Sequence, residues 1–575
     1  LMTYIHSLEK FICSKVNDLG YKLDSVKLEK CSIKELGDFQ VNFAMKLAKE
    51  YKKNPKEIAE EISESLKDKF DNVNIAGPGF INLSLKTDDL IDYANNEGNN
   101  FENFIDEKSD KTIIVDYGGA NAAKALHVGH MRSANIGEAL KRLCKLFNKK
   151  VIGDVHLGDL GRQAGMIISE IMINRPDLPF FDANYTGEYP KIDLTAKDLG
   201  IIYPKANTAA KNDEKRMDLV RQITAEIDKG NRGYTELWRQ IVDISTPTIK
   251  EVYDTLNCHF ELWEGELSSM KYVPSMLKIV EPHLYESDGA LVMDVKKEND
   301  KIDIPPLIVI KKDGSTIYST RDLATIYQRV KDYDPDEIWY VVDERQSLYF
   351  EQVFRTAYKS GLVKDSVKLY HFGFGTINGS DGKPFKTRDG GVMELSTLID
   401  MLKQEVDKRI KEEITGEERK EILDKLTIAT LKFTDLLPYR KTDYIFDPVK
   451  FSSLEGKTGP YVLYTVVRIK SLLNKVDTVE VKINSIPNDT IKDIILKVID
   501  LPNILTSSYN EATLSYIVDY LYELCNLFNK FYNSYNVINE EDKKLKDTYI
   551  ATCSLVYNII HNLLDILAID EVDKM

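Results

Sequence analysis

A short apolar strand, a glycine-containing loop and a helix follow one another repeatedly in the middle of the sequence, and this pattern constrains the fold most. The first strand is "KTIIVDYGG" at 111–119, and apolar residues at helical spacing follow over 136–147. A second strand and loop, "VIGDVHLGDLGRQAG", occupy 151–165, and the strand "EIWYVV" at 337–342 lies between two helical stretches. Strands that alternate with helices predict a parallel sheet in the α/β class.

The length of the chain and the changes in its pattern predict several domains. A chain of 575 residues is too long for one hydrophobic core. The predicted domains are an α+β domain at 1–108, the sheet domain at 109–375 with a charged helical insertion at about 170–280, a loop-and-helix region at 376–450 and an all-helical domain at 451–575.

Charge and cysteine content narrow the class of protein. The formal net charge of −15 does not favour a nucleic-acid partner, but basic stretches at 383–388, 437–441 and 466–470 could form local patches. The six cysteines are scattered without close pairs, which favours a reducing compartment over a zinc site or a disulfide framework. No apolar run reaches membrane-spanning length and no secretory signal is visible. We therefore expect a cytoplasmic protein with no membrane partner and no metal held by its own side chains.

Polar residues and glycines follow the ends of the predicted strands. Asp116 ends the first strand, and Gly158 and Asp159 lie in the loop after the second. A hairpin that turns at Asp313–Gly314 is expected next, followed by a helix from Arg321 that carries Asp322 in its first turn. Ligands of open α/β sheets bind at the carboxyl ends of the strands, so these residues are candidates for a site.

His127 and His130 lie three residues apart where the helix after the first strand should begin. Gly129 lets the backbone approach a ligand, and a helix N-terminus offers free N–H groups to phosphate. Two imidazoles on that turn add hydrogen-bond donors, which indicates a nucleotide phosphate site. When the segment is taken alone, a pair of polar residues that only caps the helix explains it equally well.

A family resemblance appears in the same segment. "NAAKALHVGHMRS" at 121–133 resembles the HIGH signature of class I aminoacyl-tRNA synthetases, and its Asn121 and Lys124 are similar to the form found in arginyl-tRNA synthetases. Further segments resemble that family in the same order along the chain: "GDFQVNFAMKLAK", "NIAGPGFINLSL", "HLGDLGRQAG", "IYSTRDLATIYQR", "WYVVDERQSLYFEQVF", "DGKPFKTRDGG" and "GKTGPYVLYTVVRI". The resemblance covers nearly the whole chain and implies a Rossmann-type catalytic domain at 109–375.

The resemblance also implies how ATP is bound. The ATP site would contain His127, Gly129, His130, Gly158, Asp159 and Lys386, and the catalytic residues would be His127, His130, Lys124, Lys386 and Arg388. The loop "KPFKTR" resembles a degenerate KMSKS motif in which either Lys386 or Thr387 takes the second lysine position. Lys124 is implied to compensate, and Mg²⁺ is the implied cofactor. Leu160 stands where the family usually carries a tryptophan.

The remaining implications concern arginine and tRNA. Asp116 would hold the α-ammonium of arginine, Asn121 its carboxylate, and Tyr318, Asp322 and Gln346 its guanidinium, a planar group that requires a carboxylate and further acceptors. The helical domain from 451 would bind the anticodon, with Tyr461, Tyr464, Arg468 and Lys470 as contacts, and the 1–108 domain would touch the tRNA elbow. A monomer whose activation of arginine depends on tRNA is expected.

Simpler interpretations and other classes of protein remain open at this point. Asp322 could be an acidic residue favoured in a helix's first turn, Tyr318 a half-buried strand aromatic, and Tyr461 or Tyr464 a core residue. A synthetase for cysteine should show zinc-ligand cysteines, and one for glutamate should show basic residues in place of Asp322. A non-catalytic tRNA-binding relative or a nucleotide-binding protein without an RNA partner would not need all of these features.

Overall fold

The computed structural model describes residues 2–312, 314–385 and 393–575. The chain folds into two compact units. The central unit comprises residues 110–407 and 434–451, and the terminal unit comprises residues 1–109, 408–433 and 452–575.

The strands are β1 (Glu29–Lys30), β2 (Phe39–Val41), β3 (Asn72–Ala76), β4 (Phe80–Ser84), β5 (Ser109–Asp116), β6 (Asn148–Asp154), β7 (Tyr285–Ser287), β8 (Ala290–Met293), β9 (Leu307–Ile310), β10 (Glu337–Tyr340), β11 (Lys368–His371), β12 (Ile377–Asn378) and β13 (Tyr444–Ile445). The α-helices are α1 (Tyr4–Asp18), α2 (Ala44–Tyr51), α3 (Pro55–Leu66), α4 (Thr87–Asn96), α5 (Val128–Phe147), α6 (Arg162–Asn174), α7 (Ala196–Asn212), α8 (Glu214–Asp228), α9 (Arg232–Thr255), α10 (Glu266–Ser269), α11 (Val273–Val280), α12 (Tyr318–Tyr333), α13 (Ser347–Lys359), α14 (Leu395–Asp407), α15 (Gly416–Leu436), α16 (Pro448–Phe451), α17 (Gly459–Leu473), α18 (Asp489–Glu511), α19 (Ser515–Ser534) and α20 (Lys543–Ile566).

The main sheet of the central unit has the strand order β11-β10-β5-β6. β10 pairs in parallel with both β11 and β5, which confirms the predicted parallel α/β sheet. Ile113, Ile114 and Val115 of β5 have no exposed surface, as expected for a parallel strand that is covered on both faces. Asp116 and Asp154 are the last residues of the neighbouring strands β5 and β6, so their side chains lie at the same edge of the sheet.

Helix α12 begins three residues earlier than the sequence pattern predicts, at Tyr318 rather than Arg321. The hydroxyl of Thr320 accepts a hydrogen bond from the Ile317 N–H at 3.0 Å and so closes the first turn. Asp322 therefore lies in the second turn, where the helix dipole no longer explains it. In the expected hairpin, Ile310 bridges antiparallel to Thr316, while the turn residue Asp313 lies outside the described residues.

The terminal unit combines an antiparallel sheet of order β1-β2-β4-β3 with helices from both ends of the chain. Asn54 caps α3 by accepting a hydrogen bond from the Lys56 N–H at 2.9 Å. Asn95 and Ile483 exchange two hydrogen bonds of 2.9 Å, which fastens α4 to the C-terminal part. The α+β character of the N-terminal domain and the helical character of the C-terminal domain are confirmed. None of the helices in the described ranges is long and apolar enough to cross a bilayer.

Candidate active site

The start of α5 shows what the two histidines do locally. His127 is the N-cap residue, and its Nδ1 accepts a hydrogen bond from the Gly129 N–H at 3.1 Å. The Nδ1 of His130 in turn accepts from the His127 N–H at 3.1 Å. Because both Nδ1 atoms are acceptors, the proton of each neutral ring lies on Nε2. Capping therefore does not compete with phosphate binding, since it leaves one N–H donor on each ring.

The surroundings keep both imidazoles neutral. Burial, assisted by the nearby charge of Lys124, lowers the pKa of His127. Burial and the neighbouring His127 and Lys124 lower the pKa of His130 well below its ordinary value. The two rings stack with their centroids 3.7 Å apart. The pair thus presents two oriented N–H groups rather than two positive charges at pH 7.

A cavity of about 420 Å³ opens at this helix start. His127 and Gly129 form one wall, and Arg345, Phe374 and Phe385 are among the residues that line the rest. This volume is in the range of small-molecule sites, and the half-buried ring of Phe385 offers a surface against which a base could stack. The cavity therefore suits a nucleotide whose phosphates point toward the start of α5.

Arg132, one turn further along α5, anchors the helix beneath this cavity. Its Nε lies 3.0 Å from Oδ1 of Asp435, and its Nη1 donates to the carbonyl of Gly375 at 2.6 Å. The guanidinium also lies 5.7 Å from the ring centroid of Phe374 and 5.1 Å from that of Tyr444. Arg132 and Asp435 are each 1% exposed, so this ion pair holds α5 from inside the unit.

Asp116 belongs to a buried group of charges at the carboxyl edge of the sheet. Nη2 of Arg329 donates to Oδ2 of Asp116 at 2.6 Å and to Oδ2 of Asp154 at 2.8 Å. Two carboxylates thus share one guanidinium, and the group carries one uncompensated negative charge when both are ionised. A substrate ammonium placed beside Asp116 would balance that charge.

Asn121 and Gly158 approach each other so closely that a larger residue at 158 would displace the Asn121 side chain. The two residues form a parallel bridge, and a Cβ at position 158 would lie 2.4 Å from Oδ1 of Asn121. The next residue, Asp159, accepts a hydrogen bond from the Leu267 N–H at 2.8 Å through its side chain. Leu160 packs in the core of the helical insertion and is 3% exposed.

The structure brings Asp322 together with aromatic and charged neighbours. The hydroxyl of Tyr349 donates to Oδ2 of Asp322. Burial raises the pKa of Asp322, and this hydrogen bond opposes the rise. Tyr318 is the first residue of α12 and is 64% exposed, so the alternative of a half-buried strand residue is wrong. Gln346 is exposed immediately before α13, the helix that carries Tyr349.

Glu266 and His156 lie at this site although the sequence analysis did not single them out. Oε2 of Glu266 is buried, accepts no hydrogen bond from the described residues and lies 3.5 Å from Nε of Arg321. Burial raises the pKa of Glu266 to about 7, with Arg321 opposing and Asp322 adding to the rise. Glu266 is more than 50 residues from Asp322 in the sequence, so no local spacing could have paired them.

Lys124 is exposed beside the histidines, with its Nζ 5.9 Å from the ring centroid of Tyr203. The candidates Lys386 and Arg388, together with Thr387, lie outside the described residues.

In the terminal unit, three of the four predicted RNA contacts form an aromatic patch with Tyr532. The guanidinium of Arg468 lies 4.8 Å from the ring centroid of Tyr464 and 4.7 Å from that of Tyr532. Nη1 of Arg468 donates at 2.7 Å to Asn529, which itself donates at 3.0 Å to the hydroxyl of Tyr461. Tyr464 is 37% exposed, so it is not a core aromatic. Lys470 stands apart from the patch because it pairs with Glu571 and Asp573.

Comparison with known proteins agrees with this geometry. Three protein-family models match successive parts of the chain: the Arginyl tRNA synthetase N terminal domain at 6–85, the tRNA synthetases class I (R) catalytic domain at 96–448 and the DALR anticodon binding domain at 462–575. The part of the chain that matches the class I catalytic-domain model contains a parallel sheet with a histidine-capped helix at its carboxyl edge. Together these features define a class I aminoacyl-tRNA synthetase.

Similar proteins of known name identify the family within this class of enzymes. The arginine–tRNA ligase of Alkaliphilus oremlandii is 45% identical over 553 residues, with 94% of each chain covered, and that of Agathobacter rectalis is 42% identical with 97% of each chain covered. The chain belongs to the arginyl-tRNA synthetase family. The structure of the Plasmodium falciparum arginyl-tRNA synthetase has the same fold over the full length of both chains, with a TM-score of 0.82 at 21% identity.

Proposed function

We propose that this chain is an arginine–tRNA ligase that acts in two steps. A carboxylate oxygen of arginine attacks the α-phosphorus of ATP, forming arginyl-adenylate and releasing diphosphate. A hydroxyl of the 3′-terminal adenosine of arginine tRNA then attacks the carbonyl carbon and releases AMP. The observation that carries this proposal is the neutral histidine pair at the nucleotide cavity, in a chain that matches all three family models in order.

The chemistry of the first step favours fixed donors at the α5 start. Negative charge develops on the phosphoryl oxygens, and preorganised N–H groups stabilise such charge without reorganising. His127 and His130 supply Nε2–H groups, and Gly129 allows the phosphates to approach the helix N-terminus. We assign Gly158, Asp159 and Lys386 to the same ATP site. Lys124 would substitute for the missing KMSKS lysine, and Lys386 and Arg388 would add positive charge from the KMSKS-like loop.

Charge complementarity places arginine along the carboxyl edge of the sheet. Asp116 would bind the α-ammonium, because the group it forms with Arg329 and Asp154 carries one unbalanced negative charge. Asn121 would orient the carboxylate. At the other end, Asp322 would receive the guanidinium, with Tyr318, Gln346 and the buried Glu266 as further acceptors.

The terminal unit would bind the tRNA. We assign the anticodon to the helices from about 451, where Tyr461, Tyr464, Arg468 and Lys470 would provide rings for stacking and cations for phosphate. To contact phosphate, Lys470 would have to exchange its carboxylate partners for it. The α+β domain at 1–108 would touch the tRNA elbow, the catalytic domain would span 109–375, and residues 376–450 would contact the acceptor stem.

Mg²⁺ is the cofactor implied for this chemistry. Within the described part of the chain, no cluster of three or more His, Cys, Asp or Glu side chains could hold a metal ion. We expect Mg²⁺ to arrive on the ATP phosphates. We further propose a cytoplasmic monomer.

The decisive experiment is ATP–diphosphate exchange with each amino acid, with and without bulk tRNA, followed by charging. We expect exchange with arginine alone, and only when arginine tRNA is present. Exchange with cysteine or glutamate would identify a different class I synthetase. Binding of tRNA without exchange or charging would identify a non-catalytic RNA-binding protein.

A further inference from the structure

His156, in the loop after β6, has an unusual backbone. Its φ is +41°, in the left-handed region that residues other than glycine seldom adopt. The backbone N–H donates to Oδ1 of Asp154 at 3.1 Å, and this hydrogen bond helps to hold the turn. Strained residues of this kind persist where the surrounding structure requires a particular side-chain position.

The tautomer of His156 is determined by Thr325 on α12. The hydroxyl of Thr325 donates its only proton to the carbonyl of Arg321 at 2.9 Å. At its contact of 3.4 Å with Nε2 of His156, the hydroxyl must therefore act as acceptor. The ring proton lies on Nε2, and Nδ1 carries a lone pair that needs a donor.

No described residue supplies that donor. Nδ1 of His156 is buried and has no hydrogen-bond partner within the described ranges. Oδ2 of Asp154 lies 3.9 Å from this Nδ1 and is itself an acceptor, which takes a hydrogen bond from Nη2 of Arg329. The carboxyl groups of Asp159, Glu266 and Asp322 lie within electrostatic range of the ring, so its surroundings are acidic. A ligand that brings N–H groups into this acidic pocket would satisfy Nδ1.

We propose that Nδ1 of His156 accepts an N–H of the guanidinium of the substrate arginine and so helps to select arginine. This inference rests on the proposed function and concerns the amino-acid end of the same site. A guanidinium has five N–H donors, more than the two carboxylates Asp322 and Glu266 need if each accepts one hydrogen bond. A neutral acceptor can take another of these donors without adding negative charge to the site. A lysine ammonium has only three donors and would leave acceptors unpaired.

Two substitutions distinguish loss of the hydrogen-bond acceptor at position 156 from disturbance of its backbone conformation. Glycine and asparagine both tolerate a positive φ, but only asparagine offers an oxygen acceptor. We expect His156→Gly to raise the KM for arginine about tenfold or more, the scale of one lost hydrogen bond to a charged donor, with the KM for ATP unchanged. His156→Asn should restore much of that loss. The exposed His283, substituted as His283→Gly, is the matched control and should behave as the unaltered enzyme.

The outcomes that overturn the proposal are distinct from failure of the proposed function. An unaltered protein that activates another amino acid refutes the function itself. Given arginine activity, a wild-type KM for arginine in His156→Gly, or equal rises for arginine and ATP, overturns the role of His156. If His156→Gly does not fold, Thr325→Val and Thr325→Ser decide the matter. Only Thr325→Val removes the hydroxyl that fixes the tautomer, so equal arginine KM values for the two variants also overturn the proposal.

Discussion

Each histidine at the start of α5 uses its two ring nitrogens for different purposes. Nδ1 of His127 and Nδ1 of His130 accept backbone hydrogen bonds of 3.1 Å, which satisfies two N–H groups that a helix start would otherwise leave unpaired. The same bonds determine that Nε2 carries the proton. A capping pair of aspartates would satisfy the backbone equally well but, as carboxylates, would offer no donor to phosphate.

Substitution of His130 tests the proposed role of the histidine pair in catalysis. His130→Ala should lower the turnover of arginine adenylation by about 10²-fold or more, because one preorganised donor to the developing charge is lost. Single-turnover formation of arginyl-adenylate in the presence of tRNA measures this directly. Thermal unfolding of the same variant shows how much of the effect is loss of the cap. Unchanged turnover would reduce both histidines to a capping role.

The close approach of Gly158 and Asn121 allows a test of the proposed arginine site. Gly158→Ala should raise the KM for arginine, because a Cβ 2.4 Å from Oδ1 of Asn121 must displace the side chain proposed to orient the carboxylate. Gly200 in α7 has nothing within 4 Å of a built Cβ, so Gly200→Ala is the matched control. Steady-state charging at varied arginine concentration compares the two. Native kinetics in Gly158→Ala would exclude Asn121 from the arginine site.

At the level of elements, α5 depends on partners that are far away in the sequence. Arg132 reaches Asp435 and the Gly375 carbonyl, and Asn135 donates to Asp435 at 3.1 Å. Tyr444 donates to the same carboxylate at 2.9 Å. This buried network joins α5 to the end of α15 and to the strand β13. Two of its members, Arg132 and Gly375, also line the cavity at the start of α5.

Removal of one partner from this network should be costly. Asp435→Ala leaves the buried Arg132 charge without its carboxylate, so we expect the free energy of unfolding to fall by about 3–5 kcal/mol. Glu421→Ala on the same helix breaks the more exposed pair with Lys425 and should change stability by less than about 1 kcal/mol. Urea unfolding of both variants makes the comparison. A loss below about 1 kcal/mol for Asp435→Ala would show that Arg132 finds other partners.

The sequence predicted those features that depend on neighbouring residues. It did not predict those that depend on contacts between distant parts of the chain. The apolar run at Ile113–Val115 predicted a buried parallel strand because both faces of such a strand are covered. The start of α12 was misplaced because its closing hydrogen bond uses Thr320, which has no strong preference for that position. Glu266 and His156 were missed because only folding brings them beside Asp322. The strain of His156 is likewise invisible without backbone angles.

The terminal unit is built from both ends of the chain. Asn95 of α4 exchanges hydrogen bonds with Ile483, and the hydroxyl of Tyr93 donates to the carbonyl of Val498 at 3.4 Å. A chain that ends near residue 450 would therefore lose the proposed RNA contacts and also expose buried surface of the N-terminal domain. Loss of charging in such a truncation would not identify the RNA-binding surface. Single substitutions in the aromatic patch are the cleaner test.

Arg468 is the residue of choice for that test. Arg468→Ala removes the cation between Tyr464 and Tyr532, so we expect a higher KM for arginine tRNA and a salt dependence of tRNA binding that is weaker by about one phosphate contact. ATP binding should not change. Lys425→Ala removes the same charge elsewhere in the terminal unit and is the control. Because activation should require bound tRNA, diphosphate exchange in Arg468→Ala should also need more tRNA to reach its maximum. Unaltered tRNA affinity would exclude the patch from RNA binding, and strong exchange without any tRNA would refute the proposed dependence of activation on tRNA.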